Sequence, residues 1–232
     1  MGIFTTAAGL DMLLHWGHFM AGVAWIGLLY YFNFVQTEYF KEADAAAKSD
    51  VIRKLVPKAL AWFRWGSVAT LATGLGIFAV RGGGMPIDIY VGALMGLLMF
   101  TNVWLIIWPN QKTVIASAEQ VATGGEALPE VTEALAKAGL ASRTNALFSI
   151  PMLFFMGSSA HYPHSSGIIA MLLAVIVILA VEYNAAYALI KHLDVVKKLP
   201  SAGIMGPMAS VKGVVHCGLG LTVILFLILE LL

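Results

Sequence analysis

The sequence predicts an all-α membrane protein: one domain, residues 1–232, folded as a polytopic bundle of six transmembrane helices. Three observations predict it. Hydrophobic residues make up 59% of the chain and charged residues only 12%. A soluble domain is about 25% charged and must cover its surface with polar groups, so this composition excludes a soluble fold and disorder alike. Six apolar windows, residues 10–35, 59–80, 89–108, 142–160, 167–190 and 211–232, come near the roughly 20 residues that cross a bilayer. Finally, the 14 Lys and Arg residues alternate between the connections.

That alternation fixes an orientation. Lys41, Lys48, Arg53, Lys54 and Lys58 lie between windows one and two. Lys112, Lys137 and Arg143 lie between three and four, and Lys191, Lys197, Lys198 and Lys212 between five and six. Only Arg64, inside window two, and Arg81, in the opposite connection, break the pattern. The positive-inside rule then places both termini on the periplasmic side of a bacterial inner membrane.

Each element has its own signals. The first window opens at Asp11, carries His15 and His18, and passes Gly22 and Trp25 into an aromatic run. The second ends at the turn Arg81-Gly82-Gly83-Gly84-Met85-Pro86, and the third carries Asn102. Residues 43–55 and 128–138 are amphipathic and predict short interfacial helices, with Gly124-Gly125 as a break. The fourth window is short, and Pro151 predicts a kink in it, because proline removes a helix hydrogen bond. A turn, His161 to Gly167, follows. The fifth window carries Glu182 and Asn184, the sixth His216 and Cys217.

Several function classes have no support. The net charge of +1 and the lack of a basic stripe give no nucleic-acid footprint. One cysteine excludes internal disulfides, CxxC metal sites and the CxxCH of c-type haem. Phosphate-cradling motifs and a nucleophile constellation are missing. The first residues lack the basic stretch of a cleaved signal peptide.

Ionisable groups within spans are costly and become candidates by default. They sort into two layers. Asp11, His15, His18 and Gly22 share one helical face on the outer side, level with His161 and His164. Imidazoles from facing helices suit haem b, with His18 or His15 opposite His161 or His164 and Trp16, Phe19, Gly22 and Trp25 as a porphyrin wall. The same imidazoles suit copper or zinc. The plainer reading makes them interfacial anchors, with His161 and His164 solvated in their turn. The inner layer holds Asn33, Arg64, Asn102, Glu182, Asn184 and His216, with Arg64 and Glu182 as a possible buried ion pair.

The run Met12-Leu-Leu-His-Trp-Gly-His-Phe-Met-Ala-Gly-Val-Ala-Trp-Ile-Gly, continuing through Tyr30 to Gln36, resembles the first span of the bacterial membrane-bound urate hydroxylase family. The matching features are His18, Gly22, Trp25-Ile26-Gly27 and the aromatic run Tyr30 to Phe34. Longer members of that family continue into a periplasmic cytochrome c domain. The chain ends at Leu232 without CxxCH, so the resemblance implies a short member. Such a member would pass electrons to a separate cytochrome c or to other subunits of a membrane complex. Three functions follow in order: a haem b oxidoreductase or electron-transfer subunit, a non-catalytic accessory subunit, and a histidine-based metal-handling or transport protein.

Overall fold

The computed structural model describes residues 2–193 and 205–232. Lys197 and Lys198, part of the predicted basic alternation, lie outside the described residues. After a helical turn at Gly2–Thr5 come α1 (Ala7–Glu42), α2 (Ala45–Arg81) and α3 (Ile87–Ala122). They are followed by α4 (Val131–His161), α5 (Ile168–Ile190) and α6 (Val211–Leu231), with a short turn at Met205–Met208 before the last.

Local chemistry sets the ends. The Thr6, Asp44 and Ser210 side chains accept the backbone N–H groups of Gly9, Ala47 and Gly213, so α1, α2 and α6 begin at capping side chains. Gly82 and Gly124, at φ +69° and +91°, follow α2 and α3 in a conformation that L side chains rarely adopt. The glycine break at 124–125 is therefore where the sequence places it. The two predicted interfacial helices are not separate elements. Residues 45–55 and 131–138 are the first turns of α2 and α4, running straight into the apolar stretches.

Three helices widen locally into π turns, at Tyr31–Gln36, Val51–Leu55 and Val103–Ile107. Two of these stand just before Pro57 and Pro109. A proline lacks an N–H and clashes with the carbonyl four residues back, and a wider turn accommodates both. The first has another cause: the Thr37 N–H and hydroxyl both donate to the Phe32 carbonyl, five residues back.

Among the described residues, five helices are long and apolar enough to cross a membrane: α1, α2, α3, α5 and α6. The sequence predicts six. The exception is α4, and its position explains its lower hydropathy. It packs against α3, α6, α5 and α1, with α1 and α2 forming a second close pair. Polar α4 side chains thus meet protein. Ser142 accepts from Asn33, Ser149 bonds Tyr30, and Asn145 bonds Asn102. Phe148, Phe155 and Ala141 of α4 are fully buried in the core beside Met95, Met99 and Val103 of α3. The other long helices turn Trp16, Phe19, Trp62, Trp65, Leu105 and Ile176 outward, apolar surface suited to lipid. The chain is a multi-pass helical membrane bundle.

Candidate functional site

One end of the bundle gathers the start of α1, the end of α6, the 82–86 turn and the 162–167 turn. There the outer histidines of the sequence analysis separate into two groups.

The first group lies between α1 and α2. Arg81 makes a two-pronged pair with Asp11, Nε to Oδ1 and Nη2 to Oδ2, each 2.9 Å. The His15 Nδ1 donates to the Asp11 carbonyl at 2.8 Å. One turn deeper, the His18 Nδ1 lies 3.2 Å from the Thr73 hydroxyl of α2. That hydroxyl spends its proton on the Ala69 carbonyl at 2.6 Å. Its oxygen is therefore placed to accept from the His18 Nδ1, and the His18 ring also bonds the Thr70 backbone. Gly74 makes room for the ring, since a Cβ there would stand 3.3 Å from the imidazole Cε1.

Below His18 on the same stripe, a Cβ on Gly22 would meet nothing within 4 Å. Trp25 follows at 2% exposure, with an indole N–H that has no partner. His18, Gly22 and Trp25 thus present unused capacity along one face. This set supplies one imidazole of the kind that ligates haem iron, and Trp25 is packed against Gly66 of α2. Trp16 and Phe19, expected as porphyrin walls, instead point outward at 61% and 70% exposure.

The second group joins α3, α4, α6 and the turn after α4. Asp88 is fully buried and accepts three hydrogen bonds. They come from the Ser158 hydroxyl at 2.6 Å, the His164 backbone N–H at 2.9 Å and the His164 Nδ1 at 2.7 Å. The His164 side chain is 1% exposed, and its Nε2 lies 3.5 Å from a Glu230 carboxylate oxygen without forming a hydrogen bond. The Phe226 and Tyr162 rings close over it, at centroid distances of 5.1 and 5.6 Å. Tyr162 donates to Glu230 at 3.1 Å, which raises the pKa of its phenol, and Ser166 donates to the Leu229 carbonyl. An open cleft of about 390 Å³ between Met85, Tyr90 and Met171 reaches His164 from the other side.

The expected pairing of His18 with His161 or His164 is not formed. His18 is held against α2. His164, far from being solvated, is locked to Asp88 behind two aromatic rings, and His161 is exposed at the last residue of α4. Among the described residues no cluster of three or more His, Cys, Asp or Glu side chains is placed to hold a metal ion.

The inner layer also divides. Asn102 donates to the Glu182 carboxylate at 3.1 Å and to Asn145 at 2.9 Å, and Asn145 donates to the Met99 carbonyl at 2.9 Å. This buried network ties α3, α4 and α5. Arg64 is not in it. Its guanidinium stacks 3.4 Å over the Trp108 ring, so a cation–π contact replaces the expected pair with Glu182. His216 is exposed on α6.

Sequence reasoning missed Asp88, Ser158 and Asn145. Asp88 stands one residue outside the predicted third window and so escaped the count of span carboxylates. The signal available was its place two residues after Pro86, at the level of His164.

A family model described as urate oxidase N-terminal matches residues 84–216. The matched stretch runs from before α3 into α6. It includes Asp88, Asn102, His161, His164 and Glu182, and leaves out the α1 segment with His18. No curated protein and no solved structure matches the chain. The family match spans more than half of the 232 residues, and the chain belongs to the urate oxidase N-terminal family.

Proposed function

We propose that this protein is the haem b-binding membrane subunit of a redox system of the urate hydroxylase type. In this reading all six long helices cross the inner membrane of a bacterium, with both termini in the periplasm. Electrons leave at the end of the bundle that carries the termini, to a cytochrome c or another subunit of a membrane complex. Family membership and the apolar helices support the setting.

The observation that carries the proposal is His18: a histidine inside an apolar helix, its Nδ1 beside a Thr73 hydroxyl whose own proton goes to the Ala69 carbonyl. The partner on the second nitrogen decides which nitrogen of a histidine binds metal, and a fixed Nδ1–H leaves Nε2 for iron. Bound haem would supply one-electron transfer. Thr73 orients the imidazole, Gly74 and Gly22 leave space beside it, and the Trp25 N–H offers a donor along the same face. Asp88 and His164 act elsewhere: they close the end of the bundle.

Haem content tests the reading. The chain is expressed with ample haem, purified in detergent and titrated as its pyridine haemochrome. About one haem b per chain is expected. Protein that purifies folded and without haem overturns the proposal.

A further inference from the structure

The His164 ring stands between two carboxylates and uses them unequally. Its Nδ1 lies 2.7 Å from Asp88 Oδ1, and a carboxylate only accepts, so this nitrogen carries a proton. Its Nε2 lies 3.5 Å from Glu230 Oε2 and has no hydrogen-bond partner among the described residues, although the side chain is 1% exposed. In a neutral imidazole that nitrogen is an acceptor, and so is the carboxylate oxygen it faces. A buried acceptor turned toward an anion is costly. A proton on Nε2 converts the same approach into a charge-assisted hydrogen bond.

The surroundings favour that proton and give it a way in. The titratable groups facing the ring are Asp88 from α3, Glu230 from α6 and Tyr162 from the turn itself. The other neighbours are apolar: Phe155 of α4 and Phe226 of α6 against the ring, with Ile168 and Met171 of α5 lining the cleft beside it. Among the described residues, His164 is the one basic side chain that pairs with Asp88 or Glu230. Two carboxylates thus share one imidazole, and its protonation halves their uncompensated charge. The Tyr162 hydroxyl donates to Glu230 Oε1 at 3.1 Å and so holds the carboxylate beside the ring. Glu230 is 38% exposed, which brings water to the gap.

We infer that His164 is a pH-sensitive latch: a proton taken up on Nε2 binds the Glu230 carboxylate and ties the end of α6 to the turn after α4. Acidification on that side of the membrane tightens this end of the bundle. At alkaline pH the Tyr162–Glu230 and Ser166–Leu229 hydrogen bonds hold it without the ion pair. The pair exists only in the folded chain, so folding takes up a proton. Stability therefore rises as pH falls from about 8 to about 5, the range in which histidine changes charge. The latch involves no haem, and its test needs none.

Thermal melts of the purified full chain in detergent, at about pH 8 and about pH 5 with a chelator present, decide it. The chelator keeps a divalent cation from bridging His164 and Glu230 in the proton's place. Glu230→Gln keeps the shape of the side chain and removes its charge. On acidification, the melting temperature of the wild type is expected to rise relative to that of Glu230→Gln by at least about 2 °C. His164→Gln is expected to follow Glu230→Gln. The other histidines titrate in all three proteins, so the difference isolates this one. A side chain that only packs would separate the wild type from Glu230→Gln by the same amount at both pH values. That result, or a wild type that falls relative to Glu230→Gln on acidification, overturns the inference. Glu230 reaches the surface, so its variant decides the matter on its own if His164→Gln does not fold.

Discussion

At the scale of single residues, the structure assigns different work to histidines that look alike in sequence. His18 and His164 each turn Nδ1 to an oxygen, yet one lies in the seam between α1 and α2 and the other is held by Asp88 beside Phe226 and Tyr162. His164 and Asp88 join the start of α3 to the end of α4 and its following turn through buried, charge-assisted bonds, and the His164 ring packs on Phe226 of α6. Asp88→Asn leaves the His164 backbone N–H, its ring N–H and the Ser158 hydroxyl competing for one neutral acceptor. A loss of about 2–4 kcal/mol is expected, read as a lower melting temperature in detergent. Which positions hold candidate chemistry was legible, because an ionisable group in an apolar window costs energy wherever it sits. Which of them meet was not. Helical spacing says that His15, His18 and Gly22 share a face, and nothing in it says that this face turns to Thr73 and Gly74 rather than to α4.

At the scale of elements, close helix approach carries much of the packing, and small residues permit it. A Cβ on Gly218 of α6 would stand 2.5 Å from Ile150 Cδ1 and 2.9 Å from the Leu147 carbonyl oxygen of α4. A Cβ on Gly220, two residues on, would meet nothing within 4 Å. Gly218→Ala is therefore expected to destabilise the bundle by about 1–3 kcal/mol. Gly220→Ala is expected to leave its stability unchanged or to raise it by up to about 1 kcal/mol. Parallel thermal melts compare the two. The sequence marks both glycines equally. Only the crossing of α6 over α4 separates them. The π turns show the reverse case: Pro57 and Pro109 advertise two of the three, since a proline inside a continuing helix must displace the turn before it.

At the scale of the whole molecule, hydropathy and charge alternation made the helical membrane bundle legible, and both act through the bilayer rather than through contacts. The boundaries of the inner connections were less so. Amphipathic first turns of α2 and α4 look the same in sequence whether they lie in the interface or continue a span. The role of α4 depends on its being surrounded, which no one-dimensional window records.

Its crossing is open to direct measurement. With Cys217 replaced by Ser, single cysteines at Gly83, Gly125 and Gly167 are labelled in intact cells by a membrane-impermeant thiol reagent. Gly83→Cys and Gly167→Cys are expected to react from outside and Gly125→Cys only after lysis. Labelling of positions 125 and 167 from the same side would show that α4 does not cross.

We propose that His18 holds haem iron and that His164 serves the fold. Reduced-minus-oxidised absorption spectra of the wild type, His18→Ala and His164→Ala, recorded at equal folded protein, test both halves at once. The wild type is expected to show b-type bands, His18→Ala to lose them, and His164→Ala to retain them despite its lower melting temperature. Bands that survive in His18→Ala and vanish in folded His164→Ala would contradict it.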